Sequence, residues 1–203
     1  MTKKSNPESA KRLNRSFTLL FSTQDSADRA EVEQFIATIF YQACGAKVRF
    51  FLPVLMSLRD DHGNLVAACG LRNAGSERLF LEKYTGRPVE QLLSEHTGTP
   101  VQRSNIVEIG NYSVSEMGLS RRLIDAIFDQ MHATDKQWVV FTAIQIVHNA
   151  LIKQNIYPEI LCAAEKSKLS PEEQSDWGNY YEQNPQVMAI RRMERRQVTR
   201  TAA

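Results

Sequence analysis

Residues Ile106 to Val114 read as a strand whose apolar run is broken by one carboxylate, Glu108. A carboxylate in such a place is costly unless it is hydrogen-bonded or paired. Its pKa should rise with burial, and a raised pKa suits a general base taking a proton from an attacking amine. The structural alternative is that Glu108 and Asn111 tie the strand to neighbouring backbone. Glu82 and Lys83 lie inside Phe80 to Tyr84, so the acid either lines the same cleft or forms a surface ion pair. Thr142 closes a fully apolar run, Trp138 to Thr142. Ligands collect at the carboxyl ends of buried parallel strands, so its hydroxyl either meets a substrate or caps the following loop. Trp177, Tyr180 and Tyr181 add an aromatic cluster with two hydroxyls, suited to substrate contact and proton donation or to buried packing.

The elements that must position these groups follow from periodicity. Val32, Phe35, Ile36, Ile39 and Phe40 mark a helix from Asp28 to Tyr41, with Asp28 and Glu31 spaced as a capping pair and Gly45 near its end. Phe50 to Arg59 and Asn64 to Arg72 should pair as antiparallel strands across Asp60-Asp61-His62-Gly63. Leu79 to Tyr84 reads as a brief strand, and Pro88 pre-sets a helix that Gly98 and Pro100 stop. The strand with Glu108, a helix over Leu119 to His132 and the run from Trp138 make a βαβ unit, parallel and right-handed. Ile146 to Gln154 is a short helix, Tyr157 to Ala163 a strand, Glu165 to Ser175 an exposed loop, and Val187 to Arg192 the last ordered segment.

The chain has 203 residues, 42% apolar and 24% charged, enough for one core. A single domain over residues 16–190 is expected, between a disordered basic tail at 1–15 and a basic C-terminal tail at 191–203. Ten of the 25 basic residues lie in those tails, which leaves 15 basic against 21 acidic residues in the body. A net-negative body argues against nucleic acid as a partner. Cys44, Cys69 and Cys162 show no CxxC or Cys/His pairing, and the four histidines lack ligand spacing, so no metal is expected. No apolar run approaches the roughly 18 residues of a membrane span, and the N-terminus is polar through Ser16; a soluble cytoplasmic protein is the expectation. The serine-hydrolase elbow, the zincin helix, the P-loop and the dinucleotide fingerprint are all missing.

The order helix, hairpin, strand, loop, helix, strand, helix, strand resembles the GNAT acyltransferase superfamily. Four local segments sharpen this: Phe80 to Tyr84, Val107 to Asn111, Trp138 to Ala143 and Trp177 to Tyr181 resemble, in order and spacing, the signature segments of the thermostable hemolysin family. The resemblance covers about residues 50 to 190. It implies an α/β (α+β) fold with one mixed central sheet flanked by helices, related to bacterial autoinducer synthases, which make acyl-homoserine lactones from an acyl carrier and S-adenosylmethionine. On that scaffold the central strand splays from its parallel neighbour, and the loop after it holds a carrier's phosphates at a helix N-terminus.

The resemblance places that loop at Ser115-Glu116-Met117-Gly118-Leu119-Ser120, where Gly118 matches the usual pattern and Ser120 is small enough for close approach. Glu116 departs from it and sets a negative charge beside any phosphate; Arg121 and Arg122 either compensate or form a solvated helix face. It also implies that Glu108 and Asn111 line the cleft, that Asn149 bonds a pantetheine amide or lies exposed, and that Tyr181 acts as general acid toward a thiolate. The expected activity is acyl transfer from acyl-CoA or an acyl carrier protein thioester to a small acceptor, with no tightly bound cofactor. S-adenosylmethionine stays open as a substrate. Direct membrane damage, as the family name suggests, and ligand binding without catalysis are the alternatives; the oligomeric state is not written in the chain.

Overall fold

Asp60 builds the first hairpin. Its Oδ1 accepts the N–H groups of His62 and Asn64 at 3.0 and 2.8 Å, and Gly63 takes the left-handed conformation at φ 83°. Strands β2 (Val54–Arg59) and β3 (Leu65–Asn73) therefore pair antiparallel, as the turn residues between the two apolar runs predict, although the first strand begins at Val54 and not at Phe50. The computed structural model describes residues 16–192. The disordered-tail expectation for 1–15 lies outside them, as does most of 191–203.

Around that hairpin a seven-stranded mixed sheet forms in the order β1-β2-β3-β4-β5-β7-β6. Its other members are β1 (Thr18–Ser22), β4 (Ile106–Val114), β5 (Trp138–Ala143), β6 (Glu159–Ala163) and β7 (Gln186–Arg191). The pair β4–β5 is parallel and every other neighbouring pair antiparallel. Helix α4 (Ser120–His132) makes the crossover between the parallel strands, which is the expected βαβ unit.

Side-chain alternation divides the core into two layers. Met56, Cys69, Val107, Ile109, Val139, Phe141, Met188 and Ile190 face α4 and α5 (Gln145–Ile152), where Leu123, Ile127 and Leu151 meet them. On the opposite face, Leu55 and Ala68 pack under Val32 and Ile36 of α1 (Arg29–Cys44). Beside them Ile106, Val140, Val187 and Ala189 pack under Leu81, Tyr84, Val89 and Leu93. Those last residues belong to the turn before α2 (Glu82–Thr85), to α2 and to α3 (Val89–Thr97).

Four sequence expectations need correction. Asp28 makes no side-chain cap on α1; it and Glu31 face Arg59 of β2, whose guanidinium bonds both Glu31 oxygens. A cation on the adjacent strand competes successfully for the acids. Residues 79–84 form a turn and a short helix instead of a strand, because their N–H groups are taken by the carboxylates of Glu82 and Glu108. Within 165–175, read as a loop, Pro171–Asp176 is helical (α6): Ser170 and Glu173 form a capping box with Pro171 at the first helical position. Finally, Arg191 ends β7, and Arg192 donates from its backbone to Gln137 and from its guanidinium to Met131 and Thr134, so the fold continues into the segment read as a tail.

Candidate functional site

The two parallel strands are hydrogen-bonded only over Ile106–Ile109 and Trp138–Phe141. Beyond Ile109, β4 continues with β3 alone, and Thr142 and Ala143 pair with β7 alone. The strands part where β4 bulges: its register against β3 shifts between Ala68 and Gly70, and Asn111 adopts φ 52°. Asn111 then holds the incoming chain, accepting the N–H of Leu52 at 3.0 Å and donating to the carbonyl of Phe50 at 3.3 Å. Gly70 and Gly110 leave room for this, since a Cβ on either would come within 2.6 or 3.0 Å of the Leu52 side chain. The alternative role named for Asn111, tying the strand to backbone, is thus the one its contacts describe.

The gap opens a cavity of about 480 Å³ that reaches both faces of the sheet. Ile124 and Phe128 of α4 with Val147 and Leu151 of α5 line one side; Phe40 of α1, Phe80 and Trp177 line the other. Its walls are mainly apolar, with Arg72, Glu108, Asn111 and Thr142 as polar points about the gap and Lys47, Arg49, Glu173 and Asp176 as charged points elsewhere on the lining.

Glu108 is 4% exposed and accepts the N–H groups of Phe80 and Leu81 at 3.0 and 2.9 Å. Arg72 Nη1 stands 3.8 Å from it, across the β3–β4 register. Burial pushes the Glu108 carboxyl above the ordinary range, and the two amide donors and Arg72 only partly oppose that. Sequence reasoning missed Arg72, which shows as an arginine closing an apolar run and meets Glu108 only once register is known. Its Nε is buried without a hydrogen bond, and its nearest anions lie at 3.5 and 3.8 Å. Thr142 lines the cavity on the same sheet face, and its hydroxyl is likewise buried without a partner. Two polar groups thus border one cavity with unspent hydrogen-bonding capacity.

Glu82 does not reach this cavity. It accepts from Leu79, Val89 and both terminal nitrogens of Arg103, inside the turn that leads into α3. Burial pushes its carboxyl up, but Arg103 and the amide donors more than offset this and leave it below the ordinary range. Lys83 pairs with Glu173 of α6, so the ion pair read between Glu82 and Lys83 is replaced by two pairs with other partners.

Trp177 forms part of the cavity wall and meets Phe40 edge-on at 6.2 Å. Its loop is pinned to the end of α1: Asn179 donates to the Cys44 carbonyl at 2.9 Å, and a Cβ on Gly178 would stand 2.0 Å from that oxygen. Tyr181 lies behind the wall, its hydroxyl 2.5 Å from that of Tyr84, which does line the cavity. Burial pushes the Tyr181 hydroxyl up to about 12. Asn149 is exposed and bonded to Gln145, away from the cavity lining.

The loop from Ser115 to Ser120 is mixed. Ser120 lines the cavity, whereas Ser115, Gly118 and Arg121 are exposed and do not. The N–H of Leu119 donates to Glu116 and that of Ser120 to Met117, so two amides of this loop are already engaged. A Cβ at Gly118 would meet nothing within 4 Å, so no close approach inside the protein demands glycine there. Arg121 pairs loosely with Asp125, one helical turn on, at 4.0 Å.

A mixed sheet, parting parallel strands and a bulge beside the gap define a GNAT-like fold, and solved structures agree. The AHL synthase LasI superposes with a TM-score of 0.61 at 12% identity, over 89% of this chain and 92% of its own. FeeM, an N-acyl amino acid synthase from uncultured soil microbes, gives 0.59 at 10%, over 89% and 93%. A putative N-acetyltransferase from Lactobacillus plantarum gives 0.55 at 9%, over 88% and 99%. The model of the thermostable hemolysin family matches residues 22–195, and the chain belongs to that family. A search of curated proteins found no match.

Proposed function

We propose that this protein is an acyltransferase that moves an acyl group from a carrier thioester, coenzyme A or acyl carrier protein, to a small acceptor amine. The observation that supports this reading is the cavity between the parted ends of β4 and β5. Its apolar side, between α4 and α5, suits an acyl chain, because burying methylene groups favours binding. The thioester carbonyl then lies in the gap, and the acceptor enters on the Glu108 and Arg72 side. In the reaction the C–N bond forms, the C–S bond breaks, and the proton lost by the amine ends on the departing thiolate or on a base.

Glu108 serves as acceptor anchor or as that base. Each oxygen accepts one backbone N–H, so lone pairs remain for an ammonium group. The Thr142 hydroxyl supplies an unspent donor beside the gap. Asn111 and Trp177 shape the pocket, and Tyr181 acts only through Tyr84. Ser115, Gly118, Ser120 and Arg121 border the entrance where a carrier's phosphates would approach; S-adenosylmethionine, which carries an amine, belongs to the panel of acceptors. The LasI and FeeM likenesses support the same scaffold chemistry without specifying acceptor or chain length.

Mass spectrometry after incubation with acyl-CoA or acyl carrier protein thioesters and a panel of amines tests this. The expected result is an N-acylated acceptor with released thiol, lost when Val147→Trp fills the cavity and reduced at least about tenfold by Glu108→Gln. No product from any pair would remove the proposal. The engaged amides of the 115–120 loop favour one alternative, a binder without turnover. An acyl ligand that co-purifies but is never transferred identifies it.

A further inference from the structure

Every ring-to-ring contact among the described residues belongs to one aromatic cluster on the Glu108 side of the cavity. Phe40, Phe80, Tyr84, Trp177 and Tyr180 of that cluster line the cavity. Trp177 is the hub, with the ring centroids of Phe40, Phe80 and Tyr180 at 6.2, 6.2 and 5.3 Å. The half under α4 and α5 differs. Its rings, Tyr112, Phe128 and Phe141, meet no other ring among the described residues, and aliphatic side chains separate them. A cluster that only filled the core would close on itself, yet Phe40, Phe80, Trp177 and Tyr180 stay half-buried and keep ring surface toward the cavity.

We propose that the acceptor is an arylalkylamine, an amine joined to an aromatic ring by a short linker, with its ammonium on Glu108 and its ring against Trp177, Phe40 and Tyr180. This inference rests on the acyl-transfer reading above and names the acceptor that reading leaves open. The short linker follows from position: Glu108 accepts the N–H of Phe80 itself at 3.0 Å, so an ammonium on its remaining lone pairs lies where the aromatic wall begins. The ring follows from the wall's geometry. Phe40 and Trp177 meet edge-on at 70°, while Phe80 and Tyr180 tilt against Trp177 at 49° and 41°, so a further ring adds by the same edge-to-face packing. A bare cation is less well served, because Lys83 already stands 4.9 Å over the Phe80 ring. The two halves of the cavity thus suit two different guests, a flexible acyl chain under α4 and α5 and a flat ring opposite.

Titration calorimetry of the full chain with phenylethylamine, hexylamine, choline and S-adenosylmethionine reads the amine site without turnover. Phenylethylamine is expected to bind at least about tenfold more tightly than hexylamine, and that margin should shrink to about twofold in Trp177→Leu and in Phe40→Leu. Melting temperatures show that each variant is folded, and Phe40→Leu carries the test if the loop of Trp177 does not survive its loss. Equal binding of the two amines overturns the inference, as does tighter binding of choline, a bare cation, or of S-adenosylmethionine, whose linker is long. So does phenylethylamine binding that Val147→Trp abolishes and Trp177→Leu leaves intact, which would seat the ring under α4 and α5. Acyl transfer to alkylamines alone overturns the inference and leaves the acyltransferase reading standing. The stated binding margin without transfer from any carrier does the opposite.

Discussion

Glu82 and Glu108 are both buried glutamates on one side of the sheet, yet their surroundings drive them in opposite directions. Glu82 sits in a closed knot, with Arg103 and two backbone amides around its oxygens. Glu108 has two amides but no close cation, and it borders a cavity. Burial raises both carboxyls; only at Glu82 do the partners win. Both side chains are shielded from solvent, but desolvation is heavier at Glu108 and its cation contact is looser; the two together separate a structural acid from one with capacity to spare.

The largest effect should come from opening the closed knot. Arg103→Ala leaves Glu82 buried without its cation and should cost about 2 kcal/mol, discounted from the range for fully buried pairs because Arg103 is partly exposed; chemical denaturation measures it. Arg72→Ala, the matching change beside Glu108, should cost less than about 1 kcal/mol because its contacts are loose, while raising KM for the acceptor. Equal costs at both sites would erase the distinction.

pH separates the acids by sign. With its folded pKa lowered, Glu82 contributes stability that is complete above the ordinary 4.5 and lost as pH falls through the folded value. Glu108, raised, does the reverse: stability is lost as pH climbs from 4.5 through its folded value. Denaturation midpoints across pH should therefore fall less steeply below 4.5 in Glu82→Gln, where other lowered carboxylates keep part of the slope, and less steeply above it in Glu108→Gln. A shared slope would contradict the assignment. The smallest effect is expected at Thr142→Val, which removes an unpartnered buried hydroxyl and should raise stability by up to about 1 kcal/mol in thermal melts. Activity lost alongside that gain would mark the hydroxyl as serving a ligand.

Much of the frame around these acids is legible in the chain. The apolar run of β4 is bounded by residues that end it, and a continuous apolar strand such as β5 can only be covered on both faces. Asp60 to Gly63 spells its turn chemistry directly. The misreading of 79–84 has a physical cause: its apolar residues are buried as a strand's would be, but its amides answer to carboxylates distant in sequence. The helix at 171 is legible locally, since Ser170, Pro171 and Glu173 spell a capped start inside an otherwise polar stretch. Strand β1 was not, because Leu19, Leu20 and Phe21 break alternation at an exposed edge. In the site, Glu108 and Thr142 stand out as polar residues in apolar runs. Arg72 joins them through strand register alone, which no local pattern encodes.

The bulge at Asn111 bears on how any guest would enter. Because that residue's side-chain amide is spent on the backbone of Phe50 and Leu52 and β4 has already left β5 at Ile109, the sheet need not be pried apart when a ligand arrives. Association should then follow a single kinetic phase whose rate scales with concentration, with no slow isomerisation ahead of capture.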